Sequence, residues 1–188
     1  QPLDALPLRV DAQGQIRGHS EDWQASLRGN WQQDPLTGTL QLAASGTPTA
    51  IHLEPSELGS GTSQLGLSGD YTPGEAPRLT LDLALSALDP ALLAPDWPGA
   101  LSGSARVDVE LGTLTRWTLA LAELQGALRE TPLALSGELS GKAGELQGGA
   151  LDLRWGKGAA ALRVDAPQQL SLQLKAFDLA PLGLQGVV

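Results

Sequence analysis

Few side chains in this sequence are of a type that does chemistry. His19 and His52 are the only histidines, and cysteine is absent, so no zinc-ligand spacing and no thiolate can be formed. Each histidine lies beside a predicted turn or strand edge, which is typical of a surface side chain. The sequence therefore predicts no metal site and no cofactor.

Four carboxylates are candidates for a catalytic acid–base pair: Asp82, Asp108, Glu110 and Asp152. They fall on the polar positions of alternating segments, which predicts a solvated outer face rather than the facing carboxylates of a glycoside hydrolase. GLSGD, residues 66–70, is similar to a nucleophile motif but has no base, and GSGTS, residues 59–63, is similar to a phosphate loop without its lysine. Both are typical of hairpin turns, and we predict that the chain is not an enzyme.

Charge and composition exclude further classes of function. The net charge of −9 and the absence of a basic run disfavour binding to nucleic acid or to an anionic membrane surface. No apolar run approaches the ~18–20 residues of a membrane span. The chain begins with Gln1 and contains no methionine, so we expect it to be a processed piece of a longer protein.

The elements that would position any site are predicted to be strands. Apolar and polar residues alternate from Leu6 onward, and PRLTLDLALSAL, residues 77–88, places leucine at every second position. This period predicts about a dozen half-buried antiparallel strands separated by turns rich in glycine, proline and serine. The one helical candidate is the segment 87–101, in which Asp89 would cap one or two turns starting at Pro90 and stopped by Pro95 and Pro98.

The sequence also repeats itself. Leu27, Gly29 and Leu36 recur as Leu124, Gly126 and Leu133, each 97 positions later. We therefore predict one continuous domain over residues 1–188, with a first repeat at about 23–100 and a second at about 120–188. Because the repeats keep their parity, their leucines are expected on the same side of one sheet.

The pattern alone leaves two architectures open. A closed β-sandwich would cover its leucine faces with its own strands, as is common in all-β proteins. An elongated, strongly curved sheet would leave one aliphatic face open, and soluble proteins rarely expose such a face without a use.

Two stretches carry a resemblance that bears on this choice. Residues 67–114, LSGDYTPGEAPRLTLDLALSALDPALLAPDWPGALSGSARVDVELGTL, and residues 124–139, LQGALRETPLALSGEL, resemble the repeat of the TamB family, the inner subunits of the translocation and assembly module within the AsmA-like bridge proteins. The shared order is a strand ending in Ser-Gly, a leucine strand, a short proline-bounded helical segment and a further strand pair. The resemblance covers most of the chain.

The resemblance implies a β-taco, a U-shaped groove lined with aliphatic side chains. It implies a protein anchored in the inner membrane of a diderm bacterium, spanning the periplasm, with an outer-membrane barrel partner of the Omp85 type, TamA. It also implies that the groove carries phospholipid acyl chains, or unfolded β-strand clients of barrel assembly. The groove candidates are Leu65, Leu67, Leu79, Leu81, Leu83, Leu85, Val107, Val109, Leu119, Leu121, Leu133, Leu135, Leu151, Leu153, Leu162, Val164, Leu170, Leu172 and Leu174.

Two other functions stay open on the residues alone. The chain could be a structural or protein-interaction β-sandwich of the cell envelope, or a glycan-binding sandwich that uses its tryptophans as an exposed platform. The five tryptophans fall at predicted strand ends and in the helical segment, which favours a place at the mouth of a groove. They are Trp23, Trp31, Trp97, Trp117 and Trp155.

Overall fold

The computed structural model describes residues 9–33, 36–92, 96–166 and 169–176, and these residues form an all-β protein. The prediction of about a dozen strands is confirmed, although Leu6 and Leu8 lie outside the described residues. The strands are β1 (Arg9–His19), β2 (Asp22–Gln33), β3 (Leu36–Thr47), β4 (Ala50–Ser60), β5 (Ser63–Thr72), β6 (Arg78–Leu88), β7 (Gly99–Glu110), β8 (Arg116–Leu128), β9 (Thr131–Lys142), β10 (Glu145–Trp155), β11 (Gly158–Ala166) and β12 (Gln169–Lys175).

All twelve strands belong to one antiparallel sheet, in the order of the sequence. Each strand therefore pairs with its neighbours in the chain through a short connection, as the glycine- and proline-rich turns predict. Strands β1 and β12 form the two edges, and within the described residues each pairs on one side only. The molecule is thus an open, curved sheet and not the closed β-sandwich that was the alternative.

Of the helical segment predicted within residues 87–101, the described residues form a single 3₁₀ turn, Pro90–Leu92. Asp89 begins it as predicted, because its Oδ1 accepts hydrogen bonds from the backbone N–H groups of Ala91 and Gly99, each at 3.0 Å. Pro95, one of the two prolines expected to stop the segment, lies outside the described residues.

Strand register places the predicted leucines on one face, which we call the leucine face. Leu67, for example, lies opposite Leu83, which in turn lies opposite Ala105. The leucine face stays continuous where β-bulges interrupt the alternation. In β8, for example, the register shifts between Leu121 and Leu124, so both residues lie on the leucine face although they are three positions apart. The opposite side, which we call the polar face, carries Asp82 beside Arg106.

Serine hydroxyls fill the gaps that the bulges open in the ladder. Ser56, 1% exposed, is the most buried side chain described. Its hydroxyl accepts a hydrogen bond from the backbone N–H of Ala43 and donates one to the carbonyl of Glu54. The hydroxyl thereby gives a hydrogen-bond acceptor to the Ala43 N–H, which lies at the register shift between β3 and β4.

Glycines differ between the two faces in how closely the next strand approaches them. On the leucine face, a Cβ atom at Gly69, Gly103 or Gly137 would lie under 3.0 Å from a carbonyl oxygen of the next strand. On the polar face, Gly66 and Gly148 have their nearest atoms at 3.4 and 3.6 Å. At these leucine-face positions the backbone of the next strand comes so close that a side chain would not fit without a shift.

Candidate functional site

Among the described residues, no second layer of structure lies over the leucine face. Strands contact chiefly their sheet neighbours, and the apolar side chains classed as buried among these residues are Leu40, Leu101, Ala105 and Val164. The other leucines of the inner strands are half-buried, whereas Leu170 and Leu172 on the edge strand β12 are 60% and 57% exposed. The inner leucines are therefore covered mainly by each other.

Register places all nineteen predicted groove residues on this face. From β6 to β10 its ladder positions hold leucine, valine, alanine, glycine and tryptophan, with Thr131 at the start of β9 as the one hydroxyl. No charged side chain belongs to this part of the face. It can offer a ligand dispersion contacts and apolar burial, but few hydrogen bonds.

The leucine face extends further than the sequence predicted. A cavity of about 450 Å³ opens on it between β1 and β4, and its lining includes Ile16, Leu27, Leu42 and Leu53. Only the pairing of Ile16 with Ala25, and of Leu27 with Leu42, shows that these residues continue the same face. The alternation in β1 and β2 was visible, but glycine and alanine interrupt the leucine pattern there.

Tryptophans border this face, each at a strand end as predicted. Trp23 and Trp117 are the second residues of β2 and β8, and Trp155 is the last residue of β10. Sequence reasoning missed that each strand tryptophan lies opposite a glycine of the following strand. The pairs are Trp23 with Gly46, Trp31 with Gly38, Trp117 with Gly141 and Trp155 with Gly158.

The fifth tryptophan, Trp97, lies against one of the strand tryptophans, Trp155. Trp97 lies with its ring centroid 6.0 Å from that of Trp155, at an interplanar angle of 53°. The guanidinium of Arg129 lies 4.4 Å from the Trp97 ring centroid, a cation–π distance. The two indoles are tilted and half-buried, so they do not make the coplanar exposed platform expected of a glycan-binding surface.

The polar face bears the carboxylates that sequence analysis assigned to it. Asp82 faces Arg106 at 3.3 Å, and Asp152 faces Arg163 at 2.9 Å. Glu110 binds Arg78 and Arg116 at 3.0 and 3.1 Å. These are cross-strand ion pairs on partly exposed side chains, and each contributes at most about 1 kcal/mol to stability. No carboxylate pair is arranged around a common substrate position among them.

His52 lies in a cross-strand row of polar side chains that could not be predicted from the sequence. Its neighbours across the strands are Ser45 on β3 and Asp70 on β5. The His52 Nδ1 lies 2.7 Å from Asp70 Oδ1, and this hydrogen bond is the main reason that the pKa of His52 is raised above 6.5. The Ser45 hydroxyl donates to Glu54 at 3.1 Å, so the row does not form the nucleophile–base hydrogen bond of a catalytic triad.

A cavity of about 820 Å³ opens across the middle of β4 to β10 and was not predicted. Small residues line it, among them Gly66, Ala84, Ser104 and Ala120, and ladder pairing assigns these to the polar face. Charged residues such as Asp82 and Arg106 also line it. Leu67, Leu83 and Leu121 of the leucine face also contribute to its lining, so the cavity combines small, charged and aliphatic residues.

Other kinds of site find no support within the described ranges. No three histidine, aspartate or glutamate side chains there come close enough together to hold a metal ion. Among the same residues, no helix has the length and apolarity to cross a membrane.

The fold and this face together define an open β-sheet with one continuous aliphatic surface. The family model of the TamB N-terminal domain matches residues 7–187, nearly the whole chain, and the chain belongs to this family. No curated protein and no solved structure matches it. Membership suggests a role in the translocation and assembly module of diderm bacteria, as a transport or assembly component rather than an enzyme, and implies partnership with TamA.

Proposed function

We propose that the leucine face of this segment is a trough that carries phospholipid acyl chains across the periplasm, between the inner and the outer membrane. The segment would work within an inner-membrane-anchored TamB protein whose barrel partner is TamA. The nineteen aliphatic residues from Leu65 to Leu174 that sequence analysis singled out would form the trough wall.

One observation carries the proposal: within the described part of the chain, no other element covers the aliphatic face of the single sheet, and we propose that the sheet bends towards that face. The crowding of Gly69, Gly103 and Gly137 against neighbouring carbonyl oxygens supports the direction of the bend. A large uncovered apolar surface on a folded protein is commonly a binding surface.

The composition of the face suits an acyl chain. Each methylene moved out of water contributes ~0.8 kcal/mol, so two acyl chains can be held without any specific hydrogen bond. A surface with few polar groups also offers no position at which a chain would be trapped, which favours movement along the trough. Strands of 9–13 residues, as β6 to β11 are, extend over ~30–43 Å at ~3.3 Å per residue, enough to enclose a chain from both sides.

A second cargo is favoured by the sheet edges. Strand β12 pairs with β11 alone among the described residues, and its Leu170 and Leu172 are exposed. Such an edge can accept an extended client strand by β-augmentation, as assembly of barrel proteins would require.

The test is the phospholipid that co-purifies with the full-length protein, measured per mole for three variants. Leu83→Asp places a carboxylate in the middle of the leucine face, and Leu172→Asp does so at an exposed position where the fold tolerates it. Ala84→Asp is the matched control, because it adds the same charge to the next residue on the polar face.

We expect both leucine variants to lose lipid several-fold while the Ala84 variant keeps it. Equal lipid in all three folded proteins would contradict a lipid trough. A Leu83 variant that unfolds, together with a folded Leu172 variant that keeps its lipid, would show that the face is a structural core.

A further inference from the structure

Alternating leucines determine which face of the sheet a side chain lies on, but not how far a strand is shifted along its neighbour. In the β2–β3 ladder, for example, Leu27 lies opposite Leu42. If β3 moved by two residues, Leu27 would lie opposite Leu40 instead, and every side chain would stay on its face because the side-chain period of a strand is two. The leucine pattern therefore leaves registers that differ by two residues nearly equivalent.

Pairs of tryptophan and glycine distinguish between these registers. Trp23 lies opposite Gly46 at one end of the β2–β3 ladder, and Trp31 lies opposite Gly38 at the other end. After a shift by two residues in either direction, Trp31 would lie opposite a leucine and Trp23 opposite an alanine or a proline. A shifted register would therefore lose both pairs at once.

The indole rings lie directly against these glycines. A Cβ atom at Gly38 or Gly46 would come under 3.0 Å from the ring of Trp31 or Trp23, so any larger residue there would displace the ring. The Trp31 Nε1 atom is buried and has no hydrogen-bond partner among the described residues, so packing and not a polar contact holds this ring. An aromatic ring over a glycine of the next strand is a known means of fixing strand register.

The same pairing recurs in two later hairpins. Trp117 lies opposite Gly141 near the start of β8, and Trp155 lies opposite Gly158 at the end of β10. A Cβ atom at Gly141 would again come under 3.0 Å from the Trp117 ring. Glycine makes up 23 of the 188 residues, so a glycine opposite all four strand tryptophans is not expected by chance.

Hairpins without such a pair have directly opposed polar partners instead. In the β4–β5 ladder His52 lies opposite Asp70, with 2.7 Å between Nδ1 and Oδ1. In the β6–β7 ladder Arg78 lies opposite Glu110, with 3.0 Å between the guanidinium and the carboxylate. These pairs, like the tryptophan–glycine pairs, join unlike residues that meet in one register only.

We propose that the four tryptophan–glycine pairs fix the register of the sheet, by selecting one strand alignment among those that the leucine pattern allows. Their place at strand ends suits this role, because the mid-strand ladder positions of the leucine face stay aliphatic. The proposal goes beyond the proposed function and does not depend on it, since register can be measured without a ligand.

Disulfide formation between introduced cysteines reports the register directly, because residues 1–188 contain no cysteine. The full-length protein, with any other cysteine removed, carries Ser26→Cys together with Ala43→Cys, its native partner, or with Gln41→Cys or Ser45→Cys, its partners after a shift by two residues. Directly opposed residues have Cα atoms about 4.5–5.5 Å apart, within reach of a disulfide, whereas diagonal neighbours are about 7–8 Å apart. Mass spectrometry after mild oxidation gives the yield of each disulfide.

The test variant combines Trp23→Leu with Trp31→Leu, which removes both indoles and keeps the leucine face apolar. We expect the yield of the native disulfide to fall at least twofold and the yield of the shifted disulfides to rise several-fold. Leu27→Ala is the control, because it removes apolar contact from the middle of the same ladder and leaves both pairs intact. The native disulfide should remain dominant in this control.

Gly46→Ala tests the other partner of one pair. The three atoms nearest to an added Cβ there all belong to the Trp23 ring, so this variant should act on the register as Trp23→Leu alone does. An effect of the tryptophan variant without one of the glycine variant would overturn the proposal, because the indole would then act without its glycine.

Three further results would overturn the proposal. One is an unchanged native yield in every variant, since the leucines and turns would then fix the register alone. Another is a shift in the Leu27 control as large as that in the double tryptophan variant, since any loss of apolar contact would then suffice. If the double variant does not fold, Trp23→Leu and Trp31→Leu are measured singly; a smaller shift of the same kind is expected in each, and no shift in either is the third such result.

Discussion

Gly149 on β10 lies so close to Glu138 on β9 that a Cβ atom on Gly149 would come under 3.0 Å from the Glu138 carbonyl oxygen. The backbone φ of Gly149 is 130°, a value that residues other than glycine rarely adopt. The preceding residue, Gly148, faces the other side of the sheet, and its nearest atom would be 3.6 Å from an added Cβ. Two adjacent glycines thus differ sharply in how closely the neighbouring strand approaches them.

This pair gives a direct test of the curvature. We expect Gly149→Ala to lower the free energy of unfolding by about 1–3 kcal/mol, because it adds both a clash and an unfavourable φ. Gly148→Ala should change that free energy by less than about 1 kcal/mol. Denaturant titration of both variants measures the difference, and equal losses would contradict a bend towards the leucine face.

Ser56 should be among the most sensitive polar residues of the sheet. In Ser56→Ala the backbone N–H of Ala43 loses its acceptor in a buried place, which should cost about 1–3 kcal/mol of stability. Ser104→Ala, at an exposed site on the polar face, should stay within about 0.5 kcal/mol. Thermal unfolding of the two variants compares them, and a Ser56 variant as stable as the Ser104 variant would show that the bulge needs no hydroxyl.

Asp89 should control the connection that carries Trp97. Asp89→Ala removes the acceptor of the Ala91 and Gly99 N–H groups, and loss of such a cap typically costs ~1 kcal/mol. Asp89→Asn keeps a side-chain oxygen there and should restore most of the stability. The emission of Trp97, read in a background without the other tryptophans, should shift in the alanine variant only. A shift of equal size in both variants would mean that charge, and not capping, fixes the connection.

His52 should make stability depend on pH. The hydrogen bond to Asp70 raises the pKa of His52 above 6.5, so its stabilising contribution is fully present below pH 6.5 and is lost as pH rises through the higher, folded-state pKa. In NMR titrations, Asp70→Asn should lower this pKa clearly, and Glu54→Gln should lower it less, since Glu54 acts only through its charge. A larger effect of the Glu54 variant would contradict the geometry.

The strands, their number and the leucine face could be predicted because alternation and turn residues are local signals. The period-two leucines of β6 define a face wherever the strand lies, and the short turns require neighbouring strands to pair. Asp89 could be placed for the same reason, as a cap beside a proline. The two-repeat organisation is not tested by the fold and stays a prediction.

Features that depend on register could not be predicted. Trp31 and Gly38 are seven residues apart, and nothing in either marks them as a pair until β2 and β3 are aligned. The same holds for Ser45, His52 and Asp70, which belong to three strands. The choice between a closed sandwich and an open curved sheet depended on whether all strands join one sheet, which the alternation within each strand does not decide.

The central claim is that the leucine face, and not the polar face, meets lipid. The most direct test replaces Leu83, and separately Asp82, with a benzophenone amino acid in the full-length protein, in cells whose lipids are labelled with radioactive phosphate. The two positions are adjacent in β6 and lie on opposite faces, so each is the control for the other. We expect crosslinked phospholipid at position 83 and none at position 82. Lipid at neither position, or equally at both, would contradict the account.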